Sequence, residues 1–346
     1  MSIEKQTVFL SGITGYIAQH ITKQLLETGK FKVIGSVRSE EKATALAKNF
    51  DNNSDLSFVY VKDISDRAAF DESFKEHGAK IDYVIHSASP FHFNATDVNK
   101  DLIVPAEIGS AGIFKASVKY APNLKHFVVT SSYAAVADLF KDNDPSFKLS
   151  EKSWNPMEFD EAVTNSLFGY CYAKKIAEKT IWNLGKELNV KFNISAVNPV
   201  YVFGPQCFDS SVTKELNTSC EIINQLVHAP VDAEIDETIK ASYIDVRDVA
   251  RAHIEPLLNS EKFNGQRLIM YADRFGKQSI VDVLNKIPQL KGKIAVGTPH
   301  KEDNIASELA VVDNSKTKEL LGFEFKSLDK TVKDTALQIL KFEGKL

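Results

Sequence analysis

Thr7-Val8-Phe9-Leu10-Ser11-Gly12-Ile13-Thr14-Gly15-Tyr16-Ile17-Ala18 is the stretch that decides the fold. Its first five residues form a short β-branched and aromatic run that Gly12 ends. Beyond Gly15 the pattern becomes helical, with Ile17, Ile21 and Leu25 on one face. A strand that passes through glycines into a helix is the setting of a dinucleotide-binding loop. Gly12 permits a tight turn, Gly15 lets the backbone approach a pyrophosphate, and small Ala18 lets helix and strand pack closely. The helix amino terminus then offers N–H groups and a positive dipole end to the phosphates.

Further strands follow at regular intervals. Phe31 to Val37 runs directly into Arg38, with Lys42 one helical turn later. An acidic residue at this place would bind a ribose 2′-hydroxyl, whereas guanidinium and ammonium suit a 2′-phosphate, so the pair points to NADPH. Two solvated surface charges are the plainer alternative. Leu56 to Val61 is a third strand and ends near Asp63, a carboxylate that can accept the adenine amino hydrogens or cap a helix. Ile81 to His86 is a fourth. His86 reads as packed in the sheet, because no other His lies at a zinc-site spacing, and no metal site is expected.

His126 to Ser131 is a fifth strand, and it delivers Ser132 and Tyr133 to its carboxyl end, where ligands of open α/β sheets sit. Ser132 there can donate to a substrate oxygen or simply cap a turn. The polar stretch from Asp138 to Asn165 is long enough for a functional flap, with Trp154 as a packing anchor. Next comes Tyr170-Cys171-Tyr172-Ala173-Lys174, at the start of a helical pattern carried by Ala173, Ala177, Ile181, Leu184 and Leu188. The spacing puts the Tyr170 phenol and the Lys174 ammonium one turn apart on one face. The cation is expected to lower the Tyr170 pKa toward neutrality and fit the phenol for proton transfer to a carbonyl oxygen. Such a pair arises by chance about once in a chain of this composition, so its weight comes from Ser132 and the glycine loop.

A sixth strand, Phe192 to Val197, is followed by the Pro-bracketed loop Asn198 to Pro205. Ser210 to His228 reads as helical, Ala241 to Asp245 and the helix after it are expected to return to the sheet, and Arg267 to Met270 is another strand. The expected architecture is α/β: a Rossmann-type, doubly wound parallel sheet with a smaller mixed substrate-binding lobe toward the C-terminus. The NADP-binding part would span 1–204 with a return segment at about 241–260, and the lobe 205–240 and 261–346.

With 346 residues the chain can bury a sizeable core. A net charge of -4 with interspersed signs argues against nucleic acid, and no apolar run is long enough to span a bilayer. The amino terminus lacks a secretory layout. Cys171, Cys207 and Cys220, odd in number and without a CxxC, read as reduced thiols in the cytosol, with the nucleus left open. The sequence carries no mark of an oligomeric state.

Together these residues resemble the extended short-chain dehydrogenase/reductases. More narrowly, the chain is similar to the yeast NADPH-dependent methylglyoxal reductases (3-methylbutanal reductases), near the dihydroflavonol-reductase-like group. Ser11 to His20, Val129 to Val136, Ala196 to Gln206, Tyr243 to Val249 and Gln338 to Lys345 carry the likeness, which runs the whole length. The resemblance implies a triad of Ser132, Tyr170 and Lys174. It implies NADP contacts at Gly12, Ile13, Thr14, Gly15, Tyr16, Ile17, Arg38, Lys42, Asp63 and Ile64, and from Tyr170, Lys174, Val202 and Ser219. Phe91, Tyr133 and Tyr201 would face a small-molecule carbonyl substrate.

Three positions depart from the family. Ile108 stands where relatives often carry the Asn of a proton relay. Tyr172 replaces a small residue and is expected to reshape a helix contact, and Ala137 replaces a bulkier one and is expected to widen the pocket. The implied activity is NADPH-dependent reduction of aldehydes and ketones, with Tyr170 as general acid. A hydroxysteroid dehydrogenase, a nucleotide-sugar epimerase and a non-catalytic NADPH-sensing regulator remain as alternatives on the same scaffold.

Overall fold

The structure, a computed structural model, describes residues 4–89 and 95–346. Its strands are β1 Gln6–Ser11, β2 Phe31–Val37, β3 Leu56–Tyr60, β4 Tyr83–His86, β5 His126–Thr130 and β6 Lys148–Ser150. They continue with β7 Asn193–Pro199, β8 Tyr201–Phe203, β9 Lys240–Asp245, β10 Gln266–Met270, β11 Asp273–Gly276 and β12 Val311–Asp313. Seven of them form one sheet in the order β10-β7-β5-β4-β1-β2-β3, every neighbouring pair parallel. The expected Rossmann-type sheet is therefore present, and helices cover both faces.

Alternation along the strands builds two cores. Val8 and Leu10 of β1 point to the side closed by the helices Tyr16–Glu27 and Val246–Leu258, where Ile21, Leu25, Val249 and Ala250 meet them. Phe9 points the other way, to Phe74, Phe114 and Ile181 from the helices Asp71–His77, Val104–Tyr120 and Ser166–Glu187. Burial of this kind contributes roughly 1.5–3 kcal/mol per large apolar side chain.

Behind the carboxyl edge lies a second, three-stranded sheet in the order β11-β9-β8. It is covered by the helices Thr218–Val227, Lys277–Leu284 and Leu328–Phe342 around Phe203, Ile223, Phe275, Ile280 and Ile339. Two placements differ from the expected division. Residues Ala241 to Asp245 lie in β9, which pairs with β8 and β11 rather than re-entering the central sheet, although the helix after it does pack there. Conversely, Arg267 to Met270 is not part of the lobe: β10 is the seventh strand of the central sheet, beside β7. The physical reason is burial on both faces, since Leu268, Ile269 and Met270 are all fully enclosed. The helix expected from Ser210 is shorter, beginning at Thr218.

The polar stretch after Asp138 is fastened rather than loose. β6 pairs with β12, and the ring of Trp154 lies under the guanidinium of Arg267 at 3.8 Å. Trp154 is thus the packing anchor expected of it. Among the described residues, no helix is long and apolar enough to cross a membrane.

Candidate active site

The glycine loop closes against β4. Gly12 has φ 68°, and a Cβ on it would come within 2.9 Å of the Ala88 Cα, so the turn and the close approach both require glycine. Its amide donates to Ser36 Oγ at 3.0 Å, and the Ile13 amide to the Ser36 carbonyl at 3.4 Å. The Ile13 side chain is fully buried over Gly35. Gly15 precedes the helix without any side-chain cap, and its own amide bonds Gly12. The amides of Thr14, Tyr16 and Ile17 therefore stand at the helix mouth without a backbone partner among the described residues. The Tyr16 phenol is spoken for, donating to the Gly204 carbonyl at 2.8 Å.

Arg38 and Lys42 are both exposed beyond β2, and neither has an ion-pair partner among the described residues. Asp63 is exposed nearby. It accepts from the Ser65 hydroxyl at 2.6 Å and the Ser65 amide at 2.8 Å, which together with Arg38 hold its carboxyl below the usual range. Ile64 sits over Gly109 of the neighbouring helix. Val202 is buried on β8, so it can offer only backbone, whereas Ser219 lines the cleft described next. Phe91 lies outside the described residues.

A cleft of about 380 Å³ opens between the two sheets, lined by Ser132, Tyr133, Tyr170, Tyr201 and Ser219. Asn165 caps the long helix by accepting from the Phe168 amide at 2.9 Å, which sets Tyr170 in its second turn. Tyr170 Oη lies 3.5 Å from Ser132 Oγ, across 38 residues of sequence. Ser132 Oγ also accepts from the Ala134 amide at 3.1 Å, so the turn both caps itself and aims the hydroxyl. The Lys174 ammonium is 5.8 Å from the centre of the Tyr170 ring.

One expectation fails here. The net shift runs opposite to that expected: burial pushes Tyr170 up to about 12, with the Ser132 hydrogen bond as an opposing influence, and burial pulls Lys174 down to about 8. Both groups are driven toward their neutral forms because withdrawal from water outweighs a cation one helical turn away.

Beneath the pair runs a buried network that the sequence reading missed. Glu178, one turn past Lys174, is fully buried and accepts from Ser131 Oγ at 2.5 Å and Asn198 Nδ2 at 2.7 Å. It also accepts from Trp182 Nε1 at 3.0 Å and Arg267 Nε at 2.5 Å. The ends of β5, β7 and β10 are thereby tied to the helix that carries Tyr170. A signal was available, since a carboxylate on a helix face followed by Ile181 must find a partner if buried.

The family departures resolve differently. The Tyr172 ring stands 6.0 Å from Phe159 under the Lys175 ammonium, making a contact of its own. Ala137 does not widen the cleft: it is fully buried with Leu149 and Ile269, away from the lining. Ile108 is partly buried on the helix Val104–Tyr120. His86 is buried, bonds Ser11 Oγ at 2.7 Å and is pulled down to about 3 by burial, as a packed sheet histidine.

A sequence model of the NAD dependent epimerase/dehydratase family matches residues 8–268. The chain belongs to this family. Within the epimerase/dehydratase family it is 48% identical over 344 residues to the NADPH-dependent methylglyoxal reductase of Saccharomyces cerevisiae, covering 98% of this chain and 100% of that one. It is 32% identical to the ketoreductase azaE of Aspergillus niger, covering 96% and 97%. The crystal structure of yeast methylglyoxal/isovaleraldehyde reductase Gre2 complexed with NADPH superposes with a TM-score of 0.94 at 48% identity, covering 99% of this chain and 100% of that one.

Proposed function

We propose that the protein is an NADPH-dependent reductase of aldehydes and ketones, with methylglyoxal and 3-methylbutanal as representative substrates. The observation that carries this is the approach of Tyr170 Oη to Ser132 Oγ at 3.5 Å in a cleft between the two sheets. The full-length similarity to a methylglyoxal reductase and to a structure bound to NADPH supports it.

The residues present suit the cofactor. A cradle that a Cβ at Gly12 would fill, open amides at the helix mouth and two unpaired cations after β2 are what a pyrophosphate and a 2′-phosphate need. NADPH held there supplies the hydride. Ser132 and Tyr170 donate hydrogen bonds to the substrate oxygen and meet the charge that develops on it. Tyr170 then gives up its phenolic proton to that oxygen. Its raised pKa keeps the phenol protonated at neutral pH, which suits reduction rather than alcohol oxidation. Lys174, charged below about 8, holds the ribose side of the site and resupplies the proton. A cytosolic address goes with this reading, as the three cysteines are free thiols.

The test is NADPH consumption against methylglyoxal, 3-methylbutanal and a graded set of aryl ketones, with chiral analysis of the products. Tyr170→Phe should keep NADPH binding and lose at least ~100-fold in turnover. Turnover near that of the unmodified enzyme would remove Tyr170 from the chemistry, and NADPH binding without consumption across the panel would end the reductase reading.

A further inference from the structure

A second, smaller space lies under the reacting end, at the top of the core that Phe9 enters. It is a cavity of about 10 Å³, room for one water molecule, and among the described residues it shares no lining with the cleft. The pattern of each element aims a polar group into it. On β4, His86 points to the same side as Val84. On the helix Val104–Tyr120, Ser110 precedes Ile113 and Phe114 by one turn, and on the helix Ser166–Glu187, Lys174 and Glu178 share a face with Ile181. Val84, Ile113, Phe114 and Ile181 close the core below, and the polar groups above them line the cavity. Ile108 does not line it.

Three of these groups reach the cavity with hydrogen-bonding capacity to spare. Ser11 Oγ accepts from the Ser87 amide at 3.0 Å and the Ala88 amide at 3.1 Å, so its own hydrogen goes to His86 Nδ1 at 2.7 Å. Burial keeps the ring neutral, and its one hydrogen therefore sits on Nε2. Among the described residues, His86 Nε2, Ser110 Oγ and Lys174 Nζ make no hydrogen bond, although His86 and Ser110 are each only 3% exposed. Glu178, also in the lining, is taken up by Ser131, Asn198, Trp182 and Arg267. We propose that the cavity binds one ordered water, which accepts from the Lys174 ammonium and His86 Nε2 and donates to Ser110 Oγ, and that through it His86 and Ser110 are positioning residues for Lys174. Three polar partners are what a buried water needs. The water gives the ammonium an acceptor in a place withdrawn from solvent, and so favours its charged form. Among the described residues, the titratable groups that face Lys174 are Tyr170 and Glu178 on its own helix and His86 on β4; the helix that carries Ser110 brings none. The part Lys174 plays in proton supply rests on the reductase reading, whereas the water site does not.

The experiment pairs a crystal structure of the NADP+ complex, at a resolution that shows ordered solvent, with kinetics. Density for one water about 3 Å from all three groups is expected. A ribose oxygen of the cofactor in that place, or no ordered density, overturns the proposal. Ser110→Ala removes an acceptor of the water, and the alkaline limb of kcat/KM for methylglyoxal should move down by about one pH unit, a tenfold loss of proton affinity at Lys174. Ser110→Thr restores a hydroxyl and should return the limb to its wild-type place. If Ser110 were purely a packing residue, Ser110→Ala would lower the unfolding midpoint and leave the limb alone. That result, or a wild-type profile without a limb, removes the positioning role. A wild-type enzyme that consumes no NADPH on any aldehyde or ketone brings down the reductase reading and the kinetic role with it, while the crystal structure still decides the water site.

Discussion

At one end of the proposed cofactor crevice, Arg38, Lys42 and Asp63 stand exposed after β2 and β3, and their hydrogen bonds reach no further than near neighbours. At the other end, Ser132, Tyr170 and Lys174 rest on Glu178 and Arg267, a pair that joins residues 89 positions apart. The first end is backbone and solvated charge; the second is side chains held by other side chains. Water can substitute for a partner lost at the first but not at the second. The same residue change should therefore cost fold at one end and selectivity at the other.

The largest expected effect is at the buried end. The Glu178 side chain is 0% exposed and that of Arg267 8%, so Glu178→Ala leaves a guanidinium without its counter-charge. Loss of about 3–5 kcal/mol in urea unfolding is expected. A loss below about 1 kcal/mol would mean the network is peripheral and the contrast drawn above is wrong. Next in size, Arg38→Asp should leave the unfolding midpoint where it is and invert the kcat/KM preference for NADPH over NADH, because the 2′-phosphate loses a partner and meets a like charge. A destabilised variant with an unchanged cofactor ratio would place Arg38 in the scaffold instead.

The smallest effect is a titration that belongs to the buried end alone. Burial lowers Lys174 to about 8, so the ammonium form prevails below that pH and the neutral amine above it. With Lys174 in its proposed role of resupplying the Tyr170 proton, kcat/KM for carbonyl reduction should fall as pH rises through about 8. A level profile up to pH values well beyond that would show that Lys174 does not titrate in the reactive complex.

The contrast also explains which parts were readable from the sequence. The glycine loop, the strands of the sheet and the pairing of Ser132 with Tyr170 follow from local pattern plus the rule that ligands gather at carboxyl strand ends. That Arg38 and Lys42 stand exposed after β2 could be read from residue type and position alone. What stayed hidden depends on enclosure. The phenol's acidity could not be judged from a spacing of four, because burial acts against the charged forms of Tyr170 and Lys174 alike. Glu178 has its partner in β10, far along the chain. β10 itself carried a usable clue, since the continuous run Leu268-Ile269-Met270 suits a strand covered on both faces, whereas β9 gave no comparable sign of which sheet it would join.

The bond from Tyr16 to Gly204 has a mechanical meaning. The His20 ring reinforces it by bonding the Pro205 carbonyl at 3.0 Å, so the first helix grips the crossover into the smaller lobe at two successive residues. That crossover carries on from β8, whose Tyr201 forms part of the cleft wall. The helix that follows the glycine loop and the wall of the cleft are therefore bolted to a common strut, so a shift of one is passed to the other.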